Sequence, residues 1–404
     1  MKIILPDDVR YIIEKLTEKG YEAYAVGGCV RDSILCRVPG DWDITTSAKP
    51  EEVKEIFRRT IDTGIEHGTV TVMIGHTGYE VTTYRVDGEY EDSRHPKNVE
   101  FTASLKEDLK RRDFTINAMA YNDNKGMVDL FDGTGDLQRH LIRCVGNPSE
   151  RFTEDALRML RAVRFSAQLG FDIEENTCEA VKELAPTITK ISKERIHTEL
   201  GKTLLSDNPD YINKAYELGI TKIVFPVYDK ISDKVTALRM LKKTEPKLYF
   251  RYASILMEAA EKEAAAMLRE LKLDNDTIGR TACLVKYHLM SITDNEVEVR
   301  RFVNAVGLSQ VEDILNFEYQ YYDTVGNDDK KQQIIHMQEL IKMITDRGDC
   351  IDMKGLAIKG SDLIKKGVAP GKEMGEMLKK CLELVLEHPE CNTREILLKK
   401  LNIE

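Results

Sequence analysis

The chain has 404 residues, of which 42% are hydrophobic and 32% charged, and its formal net charge is −10. This length exceeds what one small core needs, so we expect two to four domains. The acidic total argues against nucleic-acid binding by bulk charge, although a local basic patch can still dock a phosphate backbone. No apolar run reaches the length of a membrane span and no signal-peptide pattern is present, so we expect a cytoplasmic protein with no membrane partner.

Eight cysteines are scattered along the chain, and none forms a Cys-x-x-Cys pair. This distribution indicates reduced thiols in a reducing compartment and argues against a zinc site. The sequence contains no internal repeat and no low-complexity tract.

The first 140 residues or so mix helical and strand patterns. An amphipathic helix is expected over residues 7–19, a buried strand over 22–26 and a helix over about 28–36. Residues 41–45 are predicted to form a second strand. Ser47 is expected near the cap of the next helix, which has a proline in its first turn.

Alternating apolar residues over 67–74 and 79–85, separated by a turn, predict a β-hairpin. The next segment, Gly88 to Val99, is polar and has no period, so we expect a long loop, either a functional lid or a solvated connection. After about residue 145 strand signals nearly vanish and helical periodicity dominates. The patterns therefore predict an N-terminal α/β head followed by a long all-helical body.

Asp41 and Asp43 are the most informative pair of residues. In an extended chain, side chains at i and i+2 project from the same face, so two carboxylates come close and repel each other. A fold tolerates this arrangement when a hard cation such as Mg²⁺ lies between them. We therefore predict that both aspartates are metal ligands and catalytic residues.

A glycine turn precedes this pair. Gly27 and Gly28 follow the buried strand and open a helix, so backbone N–H groups are available to an anion, and Arg31 adds a positive charge one turn later. Glycine pairs are usually simple turns. Beside two carboxylates, however, the arrangement is typical of metal-assisted phosphoryl or nucleotidyl transfer.

Two further segments concentrate charge. Arg112 could hold a triphosphate and Asp113 could accept a hydrogen bond from a ribose hydroxyl, although a basic helix start on the surface is the alternative. Residues 151–165 are expected to be one helix with Thr153 as its N-cap. The charged residues of that helix either form salt bridges along its surface or offer a donor and an acceptor to the edge of a base; they are Glu154, Asp155, Arg158, Arg161 and Arg164.

These motifs occur together and in order. The set resembles the signature of the class II CCA-adding enzymes, which are tRNA nucleotidyltransferases of the polymerase-β superfamily. It covers roughly residues 22–205, and residues 191–196 resemble a further family element. Residues 356–375 resemble the tail of the bacterial, Bacillus-like branch.

The resemblance implies an α+β fold, with a polymerase-β-like nucleotidyltransferase head of mixed sheet and helices followed by an all-helical neck, body and tail. It also implies template-independent addition of CCA to the 3′ end of tRNA from CTP and ATP. The expected partners are the 3′ end and the acceptor and T arm of tRNA, and the protein is either a monomer or a homodimer. The implied domains are 1–144 (head), 145–207 (neck), 208–304 (body) and 305–404 (tail).

The resemblance also implies a role for each site residue. Asp41 and Asp43 would hold Mg²⁺. The remaining residues would bind the nucleotide: Gly28 and Arg31 would hold its phosphates, Arg112 and Asp113 would also contact it, Asp155 and Arg158 would read the base, and Arg161 and Arg164 would complete the pocket. Glu154 would orient Arg158. Glu80, on the hairpin, is a candidate for a third catalytic carboxylate.

Several alternatives stay open at this point. A poly(A) polymerase would carry a basic and apolar run after the metal carboxylates, where this chain has residues 67–72 in a strand pattern. A CC-adding enzyme would lack much of the loop at 88–98, so the full CCA-adding or the A-adding enzyme is favoured. An antibiotic nucleotidyltransferase would not need the helical body, and a non-catalytic RNA-binding relative would not keep both aspartates. None of the eight histidines is followed by Asp, so no His-Asp phosphohydrolase activity is expected.

Overall fold

The computed structural model describes residues 2–87 and 99–403. The expected lid at residues 88–98 therefore lies outside the described residues. The chain divides into two compact units, Met1–Lys230 with Glu270–Leu273, and Ile231–Arg269 with Asp274–Glu404. The four implied domains stay a prediction.

The first unit contains the strands of the structure. They are β1 (Ala23–Val26), β2 (Ile44–Thr46), β3 (Thr60–Gly64), β4 (Thr69–Ile74), β5 (Thr77–Thr83), β6 (Arg85–Asp87), β7 (Val99–Phe101), β8 (Met119–Asn122), β9 (Gly126–Asp129), β10 (Leu141–Ile142) and β11 (Asp172–Ile173).

Seven strands form one mixed sheet in the order β3-β4-β5-β2-β1-β8-β9. The β2–β5 pair is parallel and the other neighbours are antiparallel. β1 is central, and all four of its residues are buried. Its apolar side chains Tyr24 and Val26 pack with Tyr84, Leu109 and Val145 in a core beneath the sheet.

The helices of the first unit are α1 (Asp7–Glu18), α2 (Gly28–Ile34), α3 (Pro50–Ile56), α4 (Leu105–Lys110), α5 (Gly133–Arg139), α6 (Pro148–Glu154), α7 (Leu157–Leu169), α8 (Glu175–Leu184), α9 (Lys193–Leu204), α10 (Ile212–Glu217), α11 (Thr221–Val224) and α12 (Pro226–Asp229). Of the described residues after 145, only β11 is a strand, so the predicted α+β class with a largely helical remainder is confirmed.

From residue 231 onward the described chain is helical. The helices are α13 (Lys234–Lys243), α14 (Leu248–Ser254), α15 (Glu261–Glu270), α16 (Asn275–Tyr287), α17 (Glu296–Val306), α18 (Leu308–Val325), α19 (Asp328–Asp346), α20 (Gly360–Lys365), α21 (Lys372–Glu387) and α22 (Arg394–Lys400). This unit has one apolar core within residues 299–344 and another within 350–397. Among residues 2–87 and 99–403 no helix is both long and apolar enough to cross a bilayer.

The predicted elements near the site are largely confirmed, with three corrections. The second strand begins at Ile44, after the two aspartates, although the Asp43 carbonyl still accepts a hydrogen bond from Val26 N at 3.0 Å. Ser47 does not cap α3, because its hydroxyl accepts from Glu22 N, and Lys49 is the N-cap residue. Strands β3 and β8 are additional: β3 has only one large apolar residue in its five, and β8 is too short for its pattern to be distinguished from a helix end.

One glycine of the fold is required by close packing. Gly133 begins α5, and a Cβ atom there would overlap the carbonyl oxygen of Thr115 and lie 2.9 Å from Met119 Cγ. Gly133→Ala should therefore lower the free energy of unfolding of the first unit by about 2–3 kcal/mol. Gly40→Ala is the matched control, since Gly40 is exposed and a Cβ atom there would meet nothing within 4 Å. This control should change the free energy of unfolding by less than about 0.5 kcal/mol. Equal urea-unfolding curves for the two variants would contradict the expected overlap at Gly133.

Candidate active site

A cavity of about 410 Å³ lies beside the carboxyl end of β1. Six arginines and three aspartates line it, so its charge complements a polyanion. The lining residues are Gly27, Gly28, Arg31, Asp43, Arg111, Arg112, Asp113, Asn117, Asp155, Leu157, Arg158, Arg161, Phe165 and Arg195.

The glycine turn forms one side of this cavity. Gly27 has φ 82° and ψ −130°, a conformation that a residue with a Cβ atom rarely adopts. A Cβ atom there would also lie 3.1 Å from Arg112 Nη1. Gly28 follows as the first residue of α2. The absence of a side chain at Gly27 therefore lets the Arg112 guanidinium lie against the turn.

Arg31 is fixed from two sides. Its Nε and Nη2 donate to the two oxygens of Asp32 at 2.8 and 3.0 Å, and its Nη1 donates to Asn117 Oδ1 at 2.7 Å. The guanidinium carbon also lies 5.1 Å from the centre of the Phe165 ring. Arg31 is buried and held in one orientation at the cavity.

Arg112 lies beside the turn. Its Nη2 is 3.4 Å from Asp108 Oδ2, and its buried Nε has no hydrogen-bond partner in the described part of the chain. Asp108 also pairs with Arg111 and accepts a hydrogen bond from the Thr45 hydroxyl. Burial alone would raise the pKa of Asp108, but Arg112 and Arg111 hold it below its usual range.

Asp41 and Asp43 lie at the meeting point of two cavities. Asp43 lines the arginine-rich cavity and also a neighbouring one of about 490 Å³, which Asp41 and Glu80 line as well. β2 and β5 run in parallel with Ile44 beside Val81, which places Asp43 next to Glu80. Asp43 thus joins the arginine-rich cavity to the one that Asp41 and Glu80 line.

The electrostatics of this edge suit a cation. Burial raises the pKa of Asp43, Arg112 opposes that rise, and Asp41 adds to it. The pKa of Glu80 is also raised, by burial and by the charges of Asp43 and Asp41. These carboxylates repel one another and offer the oxygen ligands that hard divalent cations prefer. Within residues 2–87 and 99–403, however, no three acidic, histidine or cysteine side chains form a compact metal-binding group, so Glu80 stays a candidate.

Asp113 is buried and fastens α7 to the loop after α4. Its Oδ2 accepts from Arg161 Nε at 2.7 Å, and its Oδ1 accepts from Phe114 N at 2.8 Å and from Asn117 Nδ2 at 3.2 Å. Burial alone would raise the pKa of Asp113, but Arg161 and Arg158 lower it to about 2. The carboxylate lines the cavity with both oxygens engaged, which weakens the expected contact to a ribose hydroxyl.

The expected single helix over residues 151–165 is wrong, because α6 ends at Glu154 and α7 begins at Leu157. Asn147 and Pro148 start α6, so Thr153 lies inside that helix and its hydroxyl bonds Ser149 O. Asp155 occupies the break.

The break leaves the Asp155 side chain pointing at two donors. Its Oδ1 accepts from Leu157 N at 3.0 Å and its Oδ2 from Arg195 Nη2 at 2.8 Å. Arg195 belongs to α9 and lines the same cavity. The carboxylate is therefore oriented by its own chain turn and by a neighbouring helix.

Glu154 lies against Arg158, the residue that it is expected to orient. It pairs with Arg158 on one oxygen and with Arg151 on the other. Arg158 also donates to the carbonyl oxygens of Arg151 at 3.1 Å and Arg111 at 3.0 Å. Glu154 is not among the cavity-lining residues, so it acts behind Arg158.

Arg164 is also behind the cavity rather than in its wall. It pairs with Glu199, and both side chains are buried. Its guanidinium carbon lies 4.0 Å from the centre of the Phe165 ring. Arg161, by contrast, lines the cavity and lies 5.3 Å from the same ring centre.

The structure thus brings most of the predicted residues together. Gly28, Arg31, Asp43, Arg112, Asp113, Asp155, Arg158 and Arg161 line one cavity, and Asp41 lines the adjacent one. Sequence reasoning assigned no role to Asn117, Phe165 or Arg195. Asn117 lies four residues after Asp113, and Arg195 lies inside the family element at 191–196. The sequence therefore pointed to the neighbourhood of both residues. Phe165 carried none.

The buried Asp113–Arg161 pair should make stability depend on pH. Because the folded pKa of about 2 lies below the unfolded value, the pair stabilises the fold above about pH 4, and this contribution is lost as the pH falls towards 2. Asp113→Asn should therefore cost about 2 kcal/mol at pH 7 and progressively less towards pH 3. Urea unfolding of both proteins across this range measures the difference. The exposed Asp207→Asn is the control, and a cost for Asp113→Asn that is constant with pH would contradict the pairing.

Three family models match this chain. The model described as "Poly A polymerase head domain" matches residues 23–143. "Probable RNA and SrmB- binding site of polymerase A" matches residues 170–231, and a tRNA nucleotidyltransferase domain 2 model matches residues 246–401.

Full-length relatives agree with these models. The CCA-adding enzyme of Limosilactobacillus reuteri is 40% identical over 98% of this chain and 96% of its own length. The solved CCA-adding enzyme of Bacillus stearothermophilus in complex with CTP is 30% identical, with a TM-score of 0.79 over 99% of this chain and 98% of its own. The Thermotoga maritima CCA-adding enzyme complexed with tRNA_CCA shares the fold, with 22% identity and a TM-score of 0.61 over 100% of this chain and 99% of its own. The chain therefore belongs to the family of CCA-adding enzymes, tRNA nucleotidyltransferases whose chemistry uses a divalent metal ion.

Proposed function

We propose that this protein adds CCA to the 3′ end of tRNA without a template, using CTP and ATP and releasing pyrophosphate. The observation that carries the proposal is the junction at Asp43, where an arginine-lined cavity meets a cluster of carboxylates. A triphosphate and a divalent cation need these two environments side by side. The Bacillus stearothermophilus relative binds CTP in its solved complex, which supports the same ligand here.

The arginines bind the phosphates. Gly28 lets the chain approach the ligand, and Arg31 and Arg112 both line the cavity beside the glycine turn. Because Arg31 is already fixed by Asp32 and Asn117, little side-chain freedom is lost when a phosphate arrives. Both guanidiniums then stabilise the negative charge that builds on the leaving pyrophosphate.

Asp155 and Arg158 select the base. CTP and ATP both present an exocyclic amino group beside a ring acceptor nitrogen, whereas UTP and GTP present the opposite polarity there. A carboxylate that accepts and a guanidinium that donates therefore pair with both correct bases and leave polar groups unpaired with both wrong ones. Arg195 and Glu154 hold this pair in place, and Arg161 completes the cavity wall.

Asp41 and Asp43 are the proposed metal ligands, and the donor set fits Mg²⁺ because all its ligands are carboxylate oxygens. When bound, the ion supplies activation of the primer 3′-hydroxyl and neutralisation of the triphosphate. Asp41 contributes to the raised pKa of Asp43, and both aspartates contribute to the raised pKa of Glu80, so a bound cation would relieve the repulsion among these carboxylates.

The substrate class also suggests the location and organisation of the protein. We expect it in the cytoplasm, where its proposed nucleotide and tRNA substrates meet. The proposed division of the chain is a head at residues 1–144, a neck at 145–207, a body at 208–304 and a tail at 305–404. In this proposal the helical body and tail contact tRNA. Monomer and homodimer remain alternatives.

The proposal is tested with three tRNA transcripts that end before CCA, after the first C, and after CC. Labelled CTP and ATP should be incorporated into all three, with synthesis stopping at A. Addition of ATP only to the CC-ended transcript would indicate an A-adding enzyme instead. Long adenylate tails would indicate a poly(A) polymerase.

Asp41→Ala should abolish incorporation, by about a thousandfold or more, while tRNA binding stays largely intact. The reason is that a metal ligand is lost without changing the RNA-binding surface. Filter binding and single-turnover incorporation measure the two properties. Asp62→Ala removes a comparably exposed carboxylate in the same sheet and should leave both unchanged. Retained incorporation by Asp41→Ala with Mg²⁺ present would refute the metal assignment.

Arg158→Ala should reduce the preference for CTP over UTP about tenfold or more, because the donor that distinguishes the two bases is lost. Competition between CTP and UTP on the same transcript measures the preference. Arg151→Ala is the matched control, since Arg151 shares Glu154 with Arg158 but does not line the cavity. An unchanged preference in Arg158→Ala would remove this residue from base selection.

A further inference from the structure

We propose that Asn117 is a positioning residue that holds Arg31 in the orientation that binds the nucleotide phosphates. The inference rests on the proposed function, since it assigns the arginine-lined cavity to a nucleoside triphosphate. It concerns a side chain that neither the sequence motifs nor the family comparison assigned.

Asn117 sits where the cavity meets the centre of the sheet. It ends the 3-10 turn Thr115–Asn117, one residue removed from the start of β8, and its backbone N donates to Phe114 O at 2.9 Å. The residue is only 6% exposed. Its position is therefore set by the backbone, and its side chain has little freedom to seek other partners.

The side-chain amide connects two charged groups of opposite sign. Its oxygen accepts from Arg31 Nη1 at 2.7 Å, and its nitrogen donates to Asp113 Oδ1 at 3.2 Å. An amide has one acceptor end and one donor end, so only this orientation satisfies both neighbours. A carboxylate here would face Asp113 with a like charge, and an aliphatic side chain would satisfy neither neighbour.

These contacts form a continuous chain across the cavity wall. Asp32 binds Arg31, Arg31 binds Asn117, Asn117 binds Asp113, and Asp113 binds Arg161. Asn117 is the one uncharged member. It keeps Arg31 from turning towards Asp113, which would withdraw the guanidinium from the glycine turn and neutralise it.

Arg31 would still keep Asp32 and the face of Phe165 if Asn117 were lost. We therefore expect a selective loss of phosphate binding rather than collapse of the site. If Asn117 had only a general structural role, its loss would weaken the binding of CTP and of cytidine by the same factor. The two roles are separated by a ligand that lacks phosphates.

The test is calorimetric titration of CTP, with Mg²⁺, and of cytidine into the full chain without RNA. Asn117→Leu should weaken CTP binding about tenfold, because a buried hydrogen bond to a charged group is lost, and should change cytidine binding less than about twofold. Asn122→Leu is the matched control. Asn122 is equally buried in the same sheet, donates to Ala23 O at 2.9 Å and accepts from Lys125 N at 2.7 Å, but does not line the cavity.

A double-mutant cycle shows whether Asn117 acts through Arg31. In an Arg31→Ala background, Asn117→Leu should cause no further loss of CTP affinity. An equal loss in both backgrounds, or a parallel loss for cytidine, would overturn the proposal. If Asn117→Leu does not fold, as judged by its thermal midpoint, Asn117→Ser provides the same comparison with a smaller change of volume.

The outcome is distinguishable from failure of the proposed function. Wild-type protein that binds no CTP and extends no tRNA transcript would refute the function itself. Wild-type protein that binds CTP and extends tRNA, combined with an Asn117→Leu variant of unchanged CTP affinity, would refute only the role of Asn117.

Discussion

Electrostatic repulsion among arginines is the constraint on which the rest of this site depends. Six guanidiniums line a cavity of about 410 Å³, and without fixed partners they would turn away from one another. Neighbouring acids hold them in place. Asp32 fixes Arg31, Asp108 pairs with Arg111 and Arg112, Asp113 fixes Arg161, Glu154 fixes Arg158 and Asp155 fixes Arg195.

The partners explain why separate elements must meet here. Arg31 and Arg112 come from the part of the chain that forms the sheet, whereas Arg158 and Arg161 come from α7 and Arg195 from α9. The Asp113–Arg161 pair and the bond from Arg158 to the Arg111 carbonyl join these parts across a long sequence separation. The ionic contacts thus determine both the orientation of each arginine and the packing of the helices that carry them.

The sequence predicted the residues of the site better than their geometry. Asp41, Asp43 and the glycine turn could be predicted because an i, i+2 carboxylate pair and a glycine before a helix have few other uses together. The break at Asp155 could not, because the residues on both sides favour a helix, and the interruption is stabilised by the bond from Leu157 N to Asp155 together with the tertiary contact to Arg195. Arg164 followed the three-residue spacing of its helix, yet Glu199, from α9, holds it behind the wall. The spacing of residues along the sequence predicts on which face of a helix a side chain lies. Contacts with other helices determine which of those side chains reach the cavity.

Replacing a whole buried ion pair by packed apolar side chains costs little net stability, because the cost of removing charges from water offsets most of their attraction, whereas removing one partner alone is costly. The ion pairs of this cavity are better explained by their effect on orientation, since they stop the guanidiniums from rotating away from the cavity. A guanidinium held by an acid on one edge keeps its remaining N–H groups directed into the cavity, so a phosphate or a base meets donors that need no rearrangement. Each acid cancels part of the arginine charge, but six arginines face only three aspartates among the lining residues. The acids that pair with the other arginines do not line the cavity, so its wall presents more hydrogen-bond donors than acceptors, and this arrangement suits a triphosphate.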